Sequence, residues 1–213
     1  MVASAVAERS RWDNHVDELR SGVAPDGALS YAQLVGVVND ASGPDDYVLT
    51  SSGGMPGELV GGWRTVDRET DSEETTSGAT MDMEYGFSCM GYELAGPWGA
   101  SIARARTHPG GLVTTMLGDG SYLMLNSELF SAAFAGHPFV AVVCDNGGYA
   151  VIHRLQTGQG ADGSTTCTPT AKDRGPKVAV CGSISPPTRR PSDAWWRTCP
   201  TAARSTMSGR PTA

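Results

Sequence analysis

The 213-residue chain is 39% hydrophobic and 18% charged, with a formal net charge of −7. That length admits one domain with at most a small appendage, the acidity argues against nucleic acid as a partner, and no apolar run of about 18 residues is present to cross a membrane. Five cysteines without zinc-type spacing suggest reduced thiols, and the charged residues soon after Met1 leave no apolar signal core, so a cytoplasmic protein is expected.

Residues 2–20 read as a helix, with Trp12, Val16 and Leu19 on one apolar stripe. Gly22, Pro25 and Gly27 mark a linker, so residues 1–27 form an N-terminal helix and linker. Ser30 is placed to cap a second helix whose buried face is Tyr31, Leu34, Val35 and Val38. Gly43-Pro44-Asp45-Asp46 ends it. Tyr47–Thr50 is a short buried strand that runs into the loop Ser51–Gly57. There Gly53 or Gly54 either offers its backbone to a ligand or makes a tight turn. Residues 65–80 are polar and acidic without periodicity, which predicts a mobile loop, either an active-site flap or an insertion. Glu84–Gly96 is a Gly-rich turn entering a helix that reaches about Ala105, and His108-Pro109-Gly110 separates it from a strand over Leu112–Leu117. Past the next segment, Tyr149–Leu155 reads as a short helix from which Arg154 reaches toward an anionic group. Of the four scattered histidines, His15, His108, His137 and His153, none has a matching residue at ligand spacing, and His153 is the one close to the expected site.

The chain is organised around Gly118–Tyr149. Met116-Leu117-Gly118-Asp119-Gly120-Ser121 and Val142-Val143-Cys144-Asp145-Asn146-Gly147-Gly148 are apolar runs that each end in a Gly-rich turn. The helix-like segment Tyr122–Phe134 and the break Gly136-His137-Pro138 lie between them. The order strand, turn, helix, strand, turn predicts a βαβ unit with both turns at one edge of a parallel sheet. Asp119 brings a carboxylate, Asn146 an amide oxygen and Gly148 a backbone carbonyl. Three hard oxygens suit Mg²⁺, and the glycines let backbone N–H groups approach phosphate. The expected chemistry is a diphosphate held through a divalent metal; two ordinary turns of a plain βαβ unit are the other reading.

Gly-Asp-Gly followed at this distance by Asn-x-Gly resembles the thiamine diphosphate motif of the decarboxylase and acetolactate synthase superfamily, with Asp145-Asn146 where the family usually has Asn-Asn. The blocks Leu29–Gln33, Met55–Leu59, Glu84–Glu93, Gly118–Met124 and Ile152–Gln156 are similar to one member family, the thiamine-dependent trihydroxycyclohexane-1,2-dione hydrolases of inositol catabolism. The resemblance covers about residues 28–160. It implies an α/β, Rossmann-like parallel sheet with helices on both faces, and thiamine diphosphate and Mg²⁺ as cofactors. It implies Asp119, Asn146 and Gly148 as metal ligands, and Gly53, Gly54, Met90, Gly118, Asp119, Gly120, Ser121 and Asn146 as cofactor contacts. Met90 stands where the family has an apolar residue that props the cofactor in its bent form; a core methionine at a helix start is the plainer reading.

The reaction implied is opening of a cyclic diketone by carbon–carbon bond hydrolysis, with the cofactor carrying the electrons and the protein orienting it. Family members hold the cofactor between this diphosphate domain and a pyrimidine domain that carries an activating glutamate. No segment here reads as that second domain. The chain is therefore expected to need a pyrimidine-binding domain or subunit in a homo- or hetero-oligomer, and to be an inactive fragment by itself. The alternatives are a small subunit of a split acetolactate synthase-like enzyme and a non-catalytic cofactor-binding module.

From residue 161 the character changes. Residues 161–213 contain no Leu, Phe or Tyr and carry eight Lys/Arg against three Asp/Glu. Such a segment buries too little apolar surface to offset its ordering entropy, so an irregular tail without strands is expected. Shifting a back-translation of Ser164–Arg174 by one base yields Phe-Asn-Asn-Leu-Tyr-Ala-Asp-Ser-Gln-Gly-Pro, a family-like continuation that points to a frameshift origin. A genuine polar tail is the alternative.

Overall fold

A computed structural model describes residues 2–22, 29–64, 80–162 and 177–182. The expectations for the linker at 23–27, the loop at 65–79 and most of the tail fall outside those residues.

The elements, in chain order, are α1 (Val2–Ser21), α2 (Tyr31–Ala41), β1 (Tyr47–Thr50), α3 (Met55–Gly62), β2 (Met81–Met83), α4 (Tyr92–Thr107), β3 (Val113–Gly118), α5 (Asp119–Leu125), α6 (Ser127–Phe134), β4 (Val140–Asp145), α7 (Ala150–Gly158) and β5 (Lys177–Gly182). The sheet order is β2-β1-β3-β4-β5. β1 through β4 are mutually parallel and β5 runs antiparallel to β4. This is the expected α/β fold.

Alternation along the strands feeds two cores. Val48, Met116, Val142 and Cys144 face Leu34 and Val35 of α2 and Met55 and Leu59 of α3. Val113, Leu117, Ala141 and Val143 face Leu94 of α4 and Leu129 and Ala132 of α6. Successive strand residues point to opposite faces, so a parallel sheet covered on both sides reads as a near-continuous apolar run. The Ser30 hydroxyl accepts from Gln33 N–H at the start of α2, and Gln33 reaches back to Ser30 N–H, a complete capping box. On α1 only Val16 of the three stripe residues is buried; Trp12 and Leu19 stay about half exposed. Arg20 anchors the end of α1 by pairing with Asp40 and donating to the Gly36 carbonyl at 3.2 Å.

Four expectations need correction. Residues 161–213 are not strand-free: Lys177–Gly182 pairs along the whole of β4. Its short apolar run Val178-Ala179-Val180-Cys181 is a weak strand signal that the lack of Leu, Phe and Tyr in the tail obscured. The loop Ser51–Gly57 is shorter than expected, because α3 begins at Met55 with Pro in its first turn, where a missing N–H does no harm. β2 was not anticipated; three residues are too few for a period to register. The single helix expected over Tyr122–Phe134 starts instead at Asp119, directly after β3, and breaks at Asn126, a residue type of low helix propensity.

Candidate cofactor site

The carboxyl ends of β1, β3 and β4 lie side by side, so Ser51–Gly54, Gly118–Ser121 and Asp145–Gly148 share one edge of the sheet. Thr50 ties two of these ends together, its buried hydroxyl donating to the Met116 carbonyl at 2.7 Å.

Asn146 is the centre of the cluster. One polar atom of its amide lies 2.6 Å from the Gly148 carbonyl oxygen and 3.2 Å from Asp119 Oδ1, and the other lies 2.7 Å from Tyr31 Oη. With the amide nitrogen toward Tyr31, three oxygens converge from Asp119, Asn146 and Gly148. Neighbouring ligands of an octahedral Mg²⁺ stand about 2.9 Å apart when each bond is about 2.0–2.1 Å. The observed spacings bracket that value. Turned the other way, the amide nitrogen donates to Gly148 and Asp119 instead. A bound cation would select the first orientation, since it would replace repulsion among three oxygens by coordination. The donor set of carboxylate, amide oxygen and carbonyl therefore fits a hard divalent ion. Among the described residues no group of three His, Cys, Asp or Glu offers a second metal site.

Burial raises the Asp119 carboxyl above its ordinary range and the neighbouring Asp145 carboxylate adds to this, against backbone N–H donation led by Gly120 and then Gly148. A bound cation would relieve both effects. Tyr31 is pushed up chiefly by burial, with the Asn146 hydrogen bond opposing. Asp145 Oδ1 accepts from Gly147 N–H at 2.9 Å, and Gly147 has φ 79°, which sets the turn that aims the Gly148 carbonyl.

Met90 and the Gly-Asp-Gly turn come together. A Cβ on Gly120 would stand 3.3 Å from Met90 Cε and 2.6 Å from Tyr149 Cε1. Gly118 has no such neighbour within 4 Å, which leaves its outer side open. Gly53 likewise faces open space at φ 80°, while Gly54 lies under Tyr31 and Arg154, 3.4 Å and 3.8 Å from where a Cβ would be. Arg154 is thereby brought to the Gly53-Gly54 loop. The Ser121 hydroxyl, in contrast, points inward: it is buried and lies 3.1 Å from Glu93 Oε1 and 2.9 Å from Ser52 Oγ. Glu84 orders the turn before Met90, its carboxylate accepting from Phe87 N–H at 2.9 Å, Cys89 N–H at 3.1 Å and Ser51 Oγ at 3.1 Å.

Sequence reasoning passed over Tyr31, Glu84 and Glu93 as site residues. Glu93 carried a readable signal, an acid inside the apolar block Tyr92–Ala95. Tyr31 carried none, because it meets Asn146 across 115 positions.

The family described as thiamine pyrophosphate enzyme, C-terminal TPP binding domain, matches residues 70–182. The 3D-(3,5/4)-trihydroxycyclohexane-1,2-dione hydrolase of Geobacillus thermodenitrificans is 37% identical over 132 residues, which are 62% of this chain and 18% of that protein. The enzyme of the same name numbered 1 in Bacillus cereus is 36% identical over the same length, and that of Clostridium perfringens 35% over 134 residues. The chain thus spans about a fifth of the length of the curated relatives it matches.

Proposed function

From a chain that belongs to the thiamine pyrophosphate enzymes, through their C-terminal TPP binding domain, we propose a protein that binds Mg²⁺ and thiamine diphosphate as the diphosphate-holding part of a hydrolase that opens a cyclic 1,2-diketone in inositol catabolism. The observation that carries this reading is the approach of the Gly148 carbonyl and Asp119 Oδ1 to one atom of the Asn146 amide, at 2.6 Å and 3.2 Å. When bound, the cofactor supplies the nucleophilic carbon that makes cleavage beside a carbonyl feasible.

The chain's own residues bind and orient. Asp119, Asn146 and Gly148 hold the metal, with the remaining positions left to diphosphate and water. Backbone N–H groups of Gly53, Gly54 and Gly118 would approach the phosphates, Gly120 lending its small size while its N–H donates to Asp119, and the Arg154 guanidinium beside Gly54 would offset their charge. Met90, packed against Gly120, would offer an apolar, adaptable surface to the organic part of the cofactor. The aminopyrimidine half is met by a pyrimidine-binding domain or subunit, in keeping with the much greater length of the relatives. The unpaired thiols of Cys89 and Cys144 suit a reducing, cytoplasmic setting.

Calorimetric titration of the full chain with thiamine diphosphate, with and without Mg²⁺, tests the reading. Binding is expected only with Mg²⁺, and D119A is expected to abolish it, because the ion loses its one charged protein ligand. Equal binding by D119A, or no binding by the unaltered chain, rejects the assignment.

A further inference from the structure

Glu93 is wholly buried and sits in the first turn of α4. Its Oε1 accepts from Ser52 N–H at 2.8 Å and lies 2.9 Å from Ser52 Oγ and 3.1 Å from Ser121 Oγ. Its Oε2 accepts from Gly91 N–H at 3.0 Å. These partners are donors from two loops and the first turn of α5, meeting a group whose oxygens accept.

Each partner is next to a residue assigned above to the cofactor. Ser52 precedes Gly53-Gly54, Gly91 follows Met90, and Ser121 follows Gly120. Resting on the proposed cofactor reading, we propose that Glu93 is the positioning residue of the site, a buried carboxylate that draws the Ser52, Gly91 and Ser121 donors inward and so fixes the three cofactor-facing segments relative to one another.

Two physical points favour this over a packing role. Burying a carboxylate is costly, and an apolar residue of similar size commonly serves stability as well or better. The Glu93 network is also directional. Gly91 is the N-cap of α4 with φ 95° and no side-chain cap, so the reach of Glu93 back to its N–H is what holds the chain leaving Met90. Ser52 and Ser121 share a 2.9 Å contact, and both hydroxyls also lie within 3.1 Å of Glu93 Oε1, so the carboxylate holds them inward.

Glutamine has the same shape but cannot satisfy both ends. With its oxygen toward Ser52 and Ser121, its NH₂ meets the Gly91 N–H, donor against donor. The test is titration of wild type, E93Q, S121A and E93Q/S121A with thiamine diphosphate plus Mg²⁺, and with inorganic diphosphate plus Mg²⁺, well below each melting temperature. Folded E93Q is expected to bind at least about tenfold more weakly. S121A is expected to lose about fivefold in wild type but less than about twofold in the E93Q background, since the two act through one network.

A purely structural role would lower the melting temperature and leave the affinity of the folded protein alone. If E93Q does not fold, S121A carries the test, and its unchanged affinity overturns the proposal. A folded E93Q that binds like wild type, or losses that simply multiply, overturns this role alone. Absence of Mg²⁺-dependent binding by wild type overturns the cofactor reading and this role together.

Discussion

Gly120 is where the site depends most on the lack of a side chain. A Cβ there would stand 2.6 Å and 2.7 Å from the Tyr149 ring, closer than any real contact, so G120A must displace the ring that covers the Gly-Asp-Gly turn. The expected destabilisation is about 1–3 kcal/mol, measured by urea unfolding, with Mg²⁺-dependent cofactor binding weakened in parallel. Y149A in the same chain removes the clash, so G120A/Y149A is expected to be no less stable than Y149A. If the double variant is further destabilised by the full G120A amount, overpacking is not the cause. Gly53 makes a contrasting case: its Cβ would meet nothing within 4 Å, and only its φ of 80° asks for glycine.

The turn between β2 and α4 shows how one acid organises an element. Glu84 accepts backbone N–H groups of Phe87 and Cys89, and the same turn holds Ser88 at φ 54°. Donation from Phe87, then Cys89, with a smaller part from Ser51, lowers the Glu84 carboxyl below its ordinary value of 4.5. A carboxyl lowered by folding contributes stability above its unfolded pKa and loses it as pH falls through the folded value. Wild type is therefore expected to exceed E84Q in stability near neutral pH, with the gap closing on acidification below about pH 4.5. Denaturant unfolding of both proteins across pH 3–7 checks this, and a gap that widens toward acid contradicts it. The turn matters because it leads directly into Met90 and the Glu93 network.

At the scale of the molecule, the two cores on either side of one sheet make the fold cooperative. Cys144 reports on that directly. It lies in β4, 1% exposed, between β3 and β5. Burial, with a smaller push from Asp119, raises its thiol to about 12, whereas Cys89 is exposed. Because the thiolate is the reactive species, alkylation at pH 8 is expected to modify Cys89 quickly and Cys144 only at the rate of global opening. Peptide mapping by mass spectrometry resolves the two sites. Labelling of Cys144 as fast as Cys89 would mean that β4 is not part of a stable core.

The sequence by itself determined the fold class and pointed to the oxygen donors of the proposed metal site. Apolar strands ending in Gly-rich turns fix a parallel βαβ unit, and Asp119, Asn146 and Gly148 follow from where those turns must lie. Strand Tyr47–Thr50 and the helices capped at Ser30 and entered at Gly91 were legible for the same reason, since period and capping are local. Only the tertiary structure decided which groups support the site. Tyr31 meets Asn146 across 115 positions and Glu93 meets Ser52 across 41, and no local pattern encodes a contact made when separate βα units pack together. The same holds for β5, whose short apolar run is a weak signal until it meets the open edge of β4 beside it. It holds for Ser121 as well: its place in the motif pointed to the cofactor, and packing against Glu93 turned its hydroxyl inward.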